Sequence, residues 1–121
     1  MANFSVHRSQ NDTIAILSLV GFLDAHTAPE FESALQHEID AGNLQIVVDG
    51  SQLSYISSAG LGVFMGNIEE LRERSGDIKI CGLIPKVRQV FEMLGFDRLF
   101  DILDDVAAAS QRFAEVPTRE V

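Results

Sequence analysis

Residues 44–62 read LQIVVDGSQLSYISSAGLG, and their pattern indicates the fold class. Its first part, 44–49, is an apolar run rich in β-branched side chains, which predicts a buried strand that ends at Asp49. A serine-rich segment follows, and from Leu61 to Leu71 apolar residues recur at helical spacing. A buried strand that leads through a polar turn into an amphipathic helix is typical of an α/β domain.

Strand and helix patterns alternate on both sides of this stretch. Residues 4–8 and 13–20 predict an antiparallel hairpin, after which Thr27 and Glu30 have the spacing of a helix capping box. We expect the other elements as follows: a first helix from Thr27 to Gly42, a second that stops near Ser75 and Gly76, a strand at 78–83, a third helix from Pro85 to Gly95, a short strand at 96–102 and a fourth helix from about Leu103 to Ala114. The predicted order is β-β-α-β-α-β-α-β-α, an α/β fold with a mixed β-sheet core covered by about four helices.

The length and composition predict one domain. The chain has 121 residues, of which 46% are hydrophobic and 22% are charged, and no internal repeat or linker divides it. We therefore expect a single stand-alone domain over residues 1–121, with its core at about 4–113 and a frayed tail at 115–121.

The net charge and the cysteine content exclude several classes of protein. Eighteen acidic and nine basic residues give a net charge of -9, which disfavours binding to nucleic acid or to an anionic membrane surface. No apolar stretch approaches the roughly 20 residues that a membrane span needs, so we expect no direct membrane insertion. Cys81 is the single cysteine, which excludes an internal disulfide and favours a cytoplasmic location.

The negative charge is concentrated in the first half of the chain. Between Ser9 and Leu71 there are nine acidic residues and no Lys or Arg. This distribution indicates either a solvated acidic face or a surface steered towards a basic partner, and the sequence leaves both interpretations open.

Two loops stand where functional loops of α/β folds gather, at the carboxyl ends of strands: one carries Asp24 and the other carries Ser57 and Ser58. A serine that caps the following helix would explain one of the two hydroxyls. The glycines at 60, 62 and 66 each cost a helix roughly 0.5 to 1 kcal/mol relative to alanine. Such a cost indicates a close approach, either by another element of the fold or by a partner.

No catalytic, metal-binding or cofactor-binding motif is found. Asp24, His26 and Ser58 contain the residue types of a hydrolase triad, but no GxSxG motif surrounds the serine. The glycines are not followed by the Gly-Lys-Ser/Thr of a phosphate-binding loop. The three histidines, His7, His26 and His37, lack metal-ligand spacing, so we expect solvated side chains. Cys81, in an apolar strand, is expected to be a buried small hydrophobe.

Taken together, four segments resemble the STAS family, and within it the stand-alone anti-sigma factor antagonists of bacteria. They are GFLDAHTAPEFE at 21–32, VVDGSQLSYISSAGLGVF at 47–64, KICGL at 79–83 and EMLGFDRLFDI at 92–102. The resemblance covers nearly the whole chain, from about Phe4 to Phe113, and the predicted order of elements agrees with that fold.

The resemblance implies a regulatory phosphorylation site. The family's phosphoacceptor is the hydroxyl residue two places before the glycine of its serine loop, which is Ser58 in this chain. Ser57 stands where many members have Asp, and Ala59 stands where they have a second hydroxyl. The implied surroundings of the phosphoacceptor are Asp24, Asp49 and Ser57. The implied partner contacts are Asp24, Ser57, Ser58, Ala59, Gly60, Leu61 and Gly62.

The resemblance further implies partner switching without catalysis by this chain. The unphosphorylated domain would bind an anti-sigma factor with a histidine-kinase-like ATPase fold and so release a sigma factor. That ATPase would phosphorylate Ser58, and a phosphoserine phosphatase would restore it. Two alternatives remain: a STAS accessory or scaffold module of a transporter, a lipid-transport ATPase or a stress-sensing complex, and a domain that binds a small molecule or nucleotide at the serine loop.

Overall fold

The computed structural model describes residues 3–115, and within them the chain forms five strands and five helices. In chain order these are β1 (Phe4–Asn11), β2 (Ile14–Leu23), α1 (Ala28–Asp40), β3 (Gln45–Ile56), α2 (Ser58–Glu73), β4 (Asp77–Cys81), α3 (Pro85–Met93), α4 (Phe96–Leu99), β5 (Ile102–Leu103) and α5 (Val106–Ala114). The predicted α/β class with a mixed sheet is confirmed.

The strands form one sheet in the order β1-β2-β3-β4-β5. β1 and β2 are the predicted antiparallel hairpin, and every later pair of neighbours is parallel. β2 and β3 stay paired from Ile14 and Gln45 at one end to Leu23 and Ile56 at the other. Because parallel strands end at the same edge of a sheet, the loops that follow β2 and β3 begin side by side.

The two faces of the sheet are covered unequally. The main core lies under α1, α2 and α3, where the ring of Phe64 meets those of Phe31 and Phe91 at centroid distances of 5.1 and 5.7 Å. Alternate strand residues point to the opposite face, and there Ile14, Ile16, Val47 and Cys81 pack against Ala109 of α5.

Helix α5 is fastened to the sheet by a buried lysine. Lys79 on β4 donates to Asp77 Oδ2 at 3.1 Å and to Asp101 Oδ2 at 2.9 Å. Its ammonium group also lies 4.6 Å from the ring centroid of Phe113, which α5 carries. This short helix covers only part of its face of the sheet.

β3 is longer than the sequence indicates. It continues through residues 50–56, which were expected to be a turn, so the prediction that it ends at Asp49 is wrong. The physical reason is that β2 stays paired with it, through register shifts between Ser18 and Val20 and between Gly21 and Phe22. This part of β3 can contain polar residues because one face of the sheet is open to solvent there.

The predicted strand at 96–102 is also wrong. Gly95 adopts a left-handed conformation (φ 77°), α4 follows it, and β5 contains two residues. Phe96 and Phe100 stack on each other at 5.6 Å, which a strand would prevent because it would place residues four apart too far from each other. Residues 3–115 therefore form five helices rather than about four.

Other predicted boundaries are met or displaced by a few residues. Gly42 ends α1 with φ 85°, as expected for a left-handed cap. The last helix begins at Val106 rather than near Leu103, and the carboxylate of Asp105 caps it by accepting from the Ala108 amide at 2.8 Å. The predicted frayed tail lies outside the described residues, except for Glu115. Within residues 3–115, no helix has both the length and the apolar character needed to cross a membrane.

Candidate functional site at the ends of β2 and β3

The two candidate loops are joined where their strands end. Leu23 and Ile56 are the last paired residues, and the Ser57 amide donates a hydrogen bond to the Leu23 carbonyl oxygen at 2.9 Å. Asp24 follows Leu23 directly, and Ser58 follows Ser57. The structure therefore brings Asp24, Ser57 and Ser58 to one edge of the sheet, as expected from their positions after parallel strands.

The first loop is closed by a reciprocal pair of hydrogen bonds. Thr27 Oγ1 accepts from the Asp24 amide at 2.9 Å, and Asp24 Oδ1 accepts from the Thr27 amide at 3.2 Å. Asp24 Oδ1 also accepts from the His26 amide at 2.9 Å, while the Thr27 hydroxyl donates to the Phe22 carbonyl at 2.8 Å. The carboxylate of Asp24 is thus held by its own backbone.

The capping box predicted for Thr27 and Glu30 is wrong. The Thr27 side chain makes no cap hydrogen bond to α1, and the Glu30 amide donates to the Thr27 carbonyl at 3.0 Å. The reciprocal arrangement exists three residues earlier, because Asp24 provides a carboxylate that can accept from the Thr27 amide.

In the second loop, the side chain of the N-cap serine does not form the expected hydrogen bond to the helix. Ser57 is the N-cap residue of α2 in an extended conformation, yet its side chain caps no helix amide. Among the residues that the structure describes, the buried Ser57 Oγ has no hydrogen-bond partner. Ser58 is the first residue of α2 and is exposed to solvent. The expectation that a serine side chain caps this helix is therefore not met by the N-cap residue.

The glycines of α2 divide into two kinds. A Cβ on Gly60 would lie 2.7 Å from Leu23 Cγ and 2.9 Å from Ile56 Cγ1, so the fold itself requires glycine there. A Cβ on Gly62 or Gly66 would meet nothing within 4 Å. These two glycines are exposed and lie one and two helical turns beyond Ser58 on the same face.

The other residues expected to contact a partner differ in accessibility. Ala59 is partly buried, and Gly62 is exposed. Gly60 and Leu61 are buried, Leu61 with 4% of its surface exposed, because both pack towards the core. The structure therefore leaves Ser58 and Gly62 as the exposed members of the predicted set, with Asp24, Ser57 and Ala59 partly buried.

Asp49 is not brought beside Ser58. It lies within β3, where its Oδ1 accepts from the Ser51 amide at 3.0 Å, and it lines a hollow together with Asp104 and Asp105 of the α5 start. The seven-residue step along the strand to Ile56 corresponds to about 20 Å. The expected place of Asp49 in the surroundings of the phosphoacceptor is corrected accordingly. In the described part of the chain, no group of three or more His, Cys, Asp or Glu residues is arranged to hold a metal ion.

An aromatic pair beside the site was missed by the sequence analysis. Phe22 and Tyr55 are register partners on β2 and β3, and their ring centroids are 5.6 Å apart. They are 47% and 46% exposed. Both rings point away from the main core because Leu23 and Ile56 point into it and strand alternation turns the preceding residue outward. The sequence analysis expected a turn at residues 50–56 and therefore could not use this alternation.

Cys81 and the histidines complete the set of residues that the sequence singled out, and of these only His26 contacts the site, through its backbone amide. Burial, followed by the nearby charges of Asp49 and Asp105, raises the pKa of the Cys81 thiol to about 12. The prediction of a buried small hydrophobe is confirmed, since Cys81 is fully buried. The histidines at 7, 26 and 37 are exposed.

Sequence comparison finds one family over most of the chain. The family model described as the STAS domain matches residues 5–109. The protein BtrV of Bordetella bronchiseptica is 36% identical over 102 residues, which cover 84% of this chain and 88% of that protein. The anti-sigma-B factor antagonist of Listeria monocytogenes is 32% identical over 102 residues, with coverage of 83% and 89%.

Solved structures share the fold. An anti-sigma factor antagonist from Mycobacterium paratuberculosis superposes with a TM-score of 0.83 at 19% identity and covers 93% of this chain and 95% of its own. The Bacillus cell fate determinant SpoIIAA in its phosphorylated form gives a TM-score of 0.68 at 22% identity, with coverage of 91% and 98%. At these identities the likeness is one of fold.

Proposed function

The chain belongs to the STAS domain family, and we propose that it is an anti-sigma factor antagonist, which binds an anti-sigma factor and thereby releases a sigma factor. The Listeria relative carries that name and aligns over most of both chains. The relatives therefore favour the antagonist over the accessory or scaffold module. In this proposal the chain acts in the cytoplasm as a binding partner, and any catalysis belongs to other proteins.

The observation that carries the proposal is the position of Ser58. Its side chain is exposed at the first residue of a 16-residue helix whose N-cap side chain forms no cap hydrogen bond. Uncapped amides at a helix N-terminus favour an anion, so a phosphate on Ser58 would be compatible with the folded domain. A phosphorylated form of the structural neighbour SpoIIAA is known, and we propose that Ser58 is the phosphoacceptor here.

A phosphate at this position would act through charge. It adds about -1.5 to -2 charges at neutral pH. The serine loop is tied to the Asp24 loop by the hydrogen bond between Ser57 and Leu23, so the new charge would lie on the same edge as the Asp24 carboxylate. A partner that closes over this edge with no cation opposite Ser58 would then bury like charges without a counter-ion, which is costly. The phosphorylated chain would release its partner.

The proposed partners follow from this switch. The anti-sigma factor is expected to be an ATPase of the histidine-kinase-like fold that phosphorylates Ser58 from Mg-ATP, and a phosphoserine phosphatase would reverse the reaction. Residues 9–71 provide no Lys or Arg, so the chain itself offers few cations near this edge to bind ATP phosphates. The nucleotide therefore belongs to the partner.

Binding of the purified anti-sigma factor of the host, measured by calorimetry, tests the proposal. We expect Ser58→Ala to bind like the wild type and Ser58→Asp to bind at least about tenfold more weakly. Ser33→Asp is the matched control, because Ser33 is an exposed serine on α1. With Mg-ATP, intact mass should show one phosphate on the wild type and none on Ser58→Ala. Equal affinities of Ser58→Asp and the wild type would refute the switch.

A further inference from the structure

Two aromatic rings lie in contact on the part of the sheet that α5 leaves uncovered. The rings of Phe22 and Tyr55 are 5.6 Å apart, and nearly half of each side chain is exposed. α5 packs over the other end of the same face, against Ile14, Ile16 and Val47. The fold therefore provides no cover for the pair in the described residues 3–115.

The pair is continuous with the loops of the proposed switch. Phe22 is two residues before Asp24, and Tyr55 is three residues before Ser58. The Thr27 hydroxyl, which donates to the Phe22 carbonyl, also accepts from the Asp24 amide. The side chain of Thr27 thus holds both the backbone of Phe22 and the Asp24 loop.

The chemistry of this surface selects a basic, partly apolar partner. Aromatic side chains are enriched among the few residues that dominate the binding energy of interfaces. The faces of their rings carry partial negative charge and attract cations. Asp24 follows Phe22 by two residues, and residues 9–71, the stretch that contains both rings, include nine acidic side chains and no Lys or Arg. A protein surface that brings Lys or Arg around an apolar contact would complement both features.

We propose that Phe22 and Tyr55 are the apolar anchor of the surface that binds the anti-sigma factor. The partner covers the edge from Ser58 across Asp24 to the aromatic pair and contacts the rings with a basic, partly apolar surface. This inference rests on the proposed function and extends its interface onto the open face of the sheet.

The test compares serine and aromatic replacements of the pair. The double variant Phe22→Ser/Tyr55→Ser should bind the purified anti-sigma factor of the host at least about tenfold more weakly than the wild type, because it removes both rings from the interface. The exchange variant Phe22→Tyr/Tyr55→Phe keeps two rings and should bind within about threefold of the wild type. Met93→Ser is the matched control, since Met93 is 81% exposed on α3. Circular dichroism should show that all variants fold.

The outcomes separate this inference from the proposed function. Wild-type affinity in the double serine variant, with Ser58→Asp still weakened, overturns the anchor and leaves the antagonist role in place. If the wild type does not bind the anti-sigma factor, the anchor fails together with the proposed function. Sedimentation identifies the competing occupant: a wild-type dimer that the double serine variant converts to monomer assigns the rings to a second copy of the chain and overturns the inference.

Discussion

Thr27 and Asp24 each hold the backbone amide of the other. Thr27 Oγ1 accepts from the Asp24 amide at 2.9 Å, and Asp24 Oδ1 accepts from the Thr27 amide at 3.2 Å. The arrangement is that of a capping box, but it closes the turn before α1 rather than capping the helix. It fixes the backbone from Phe22 to Thr27, the segment that joins the aromatic pair to the site edge.

We expect Thr27→Val to destabilise the fold by about 1 to 3 kcal/mol, because valine has nearly the same shape but leaves the Asp24 amide and the Phe22 carbonyl without their partner. Thr27→Ser keeps the hydroxyl and should lose less. Urea unfolding followed by circular dichroism measures the difference. If the serine and valine variants unfold at the same urea concentration, the hydroxyl does not hold this loop.

The order of elements followed from hydrophobic periodicity, because β2, α1, α2 and β4 each have the pattern of their class. The second half of β3 was hidden for a physical reason. The face of this segment that points away from the main core is open, so it contains polar residues and its sequence resembles that of a turn. Its pairing with β2 is a long-range contact, which local sequence does not reveal. The two-residue β5 is too short for any periodic signal.

The candidate site was predictable in position but not in detail. The serine loop and the Asp24 loop were located because both follow buried parallel strands. The roles of the three glycines were not separable in the sequence, since only the packing of Leu23 and Ile56 distinguishes Gly60 from Gly62. The Phe22–Tyr55 contact depends on strand register, which the sequence does not determine when the strand contains register shifts.

Cys81 should resist thiol reagents while the protein is folded. Burial, with the charges of Asp49 and Asp105, raises the pKa of its thiol to about 12, so the reactive thiolate is scarce at pH 8. We expect iodoacetamide to label the urea-unfolded chain at an ordinary rate and the folded chain only as fast as it unfolds. Rapid labelling of the folded protein, followed by intact mass, would contradict the burial of this side chain.

We expect the folded state to lose stability in acid, in part because Glu38 becomes protonated. Burial acts to raise the pKa of this carboxyl, but hydrogen bonds from Arg8 and Asn43 outweigh it, and the pKa lies below its ordinary value. The folded state therefore binds fewer protons than the unfolded state. The stabilisation is present above the ordinary carboxyl pKa of about 4.3 and is lost as the pH falls through the lower folded value.

The substitution Glu38→Gln tests the direction of this pH dependence. The variant should be less stable than the wild type at pH 7, and the difference should narrow as the pH falls below the ordinary carboxyl pKa, because the wild type loses the stabilisation by its carboxylate there. Denaturant unfolding at several pH values measures both. A difference that stays constant from pH 7 to pH 3 would show that the ionised carboxylate contributes nothing to stability.

Gly60→Ala and Gly62→Ala should change stability in opposite directions. The new methyl group at position 60 would lie 2.7 Å from Leu23 Cγ, and we expect a loss of about 1 to 3 kcal/mol from overpacking. At position 62 the methyl group meets nothing within 4 Å, and the better helix propensity of alanine should add about 0.5 to 1 kcal/mol. Thermal and urea unfolding test both signs, and destabilisation by Gly62→Ala would show that the fold needs that glycine.

The exposed glycines of α2 should also affect binding of the partner. Gly62 and Gly66 follow Ser58 on one exposed face of the helix. Each glycine makes the helix less stable than alanine would, although the fold has room for a Cβ at both positions. A partner backbone that approaches this face would account for the glycines. We therefore expect Gly62→Ala/Gly66→Ala to raise the unfolding free energy and to bind the anti-sigma factor more weakly. Ala107→Gly, on the exposed side of α5, is the control for a glycine change away from this face. Unchanged affinity of the stabilised double variant would mean that no partner backbone approaches the helix there.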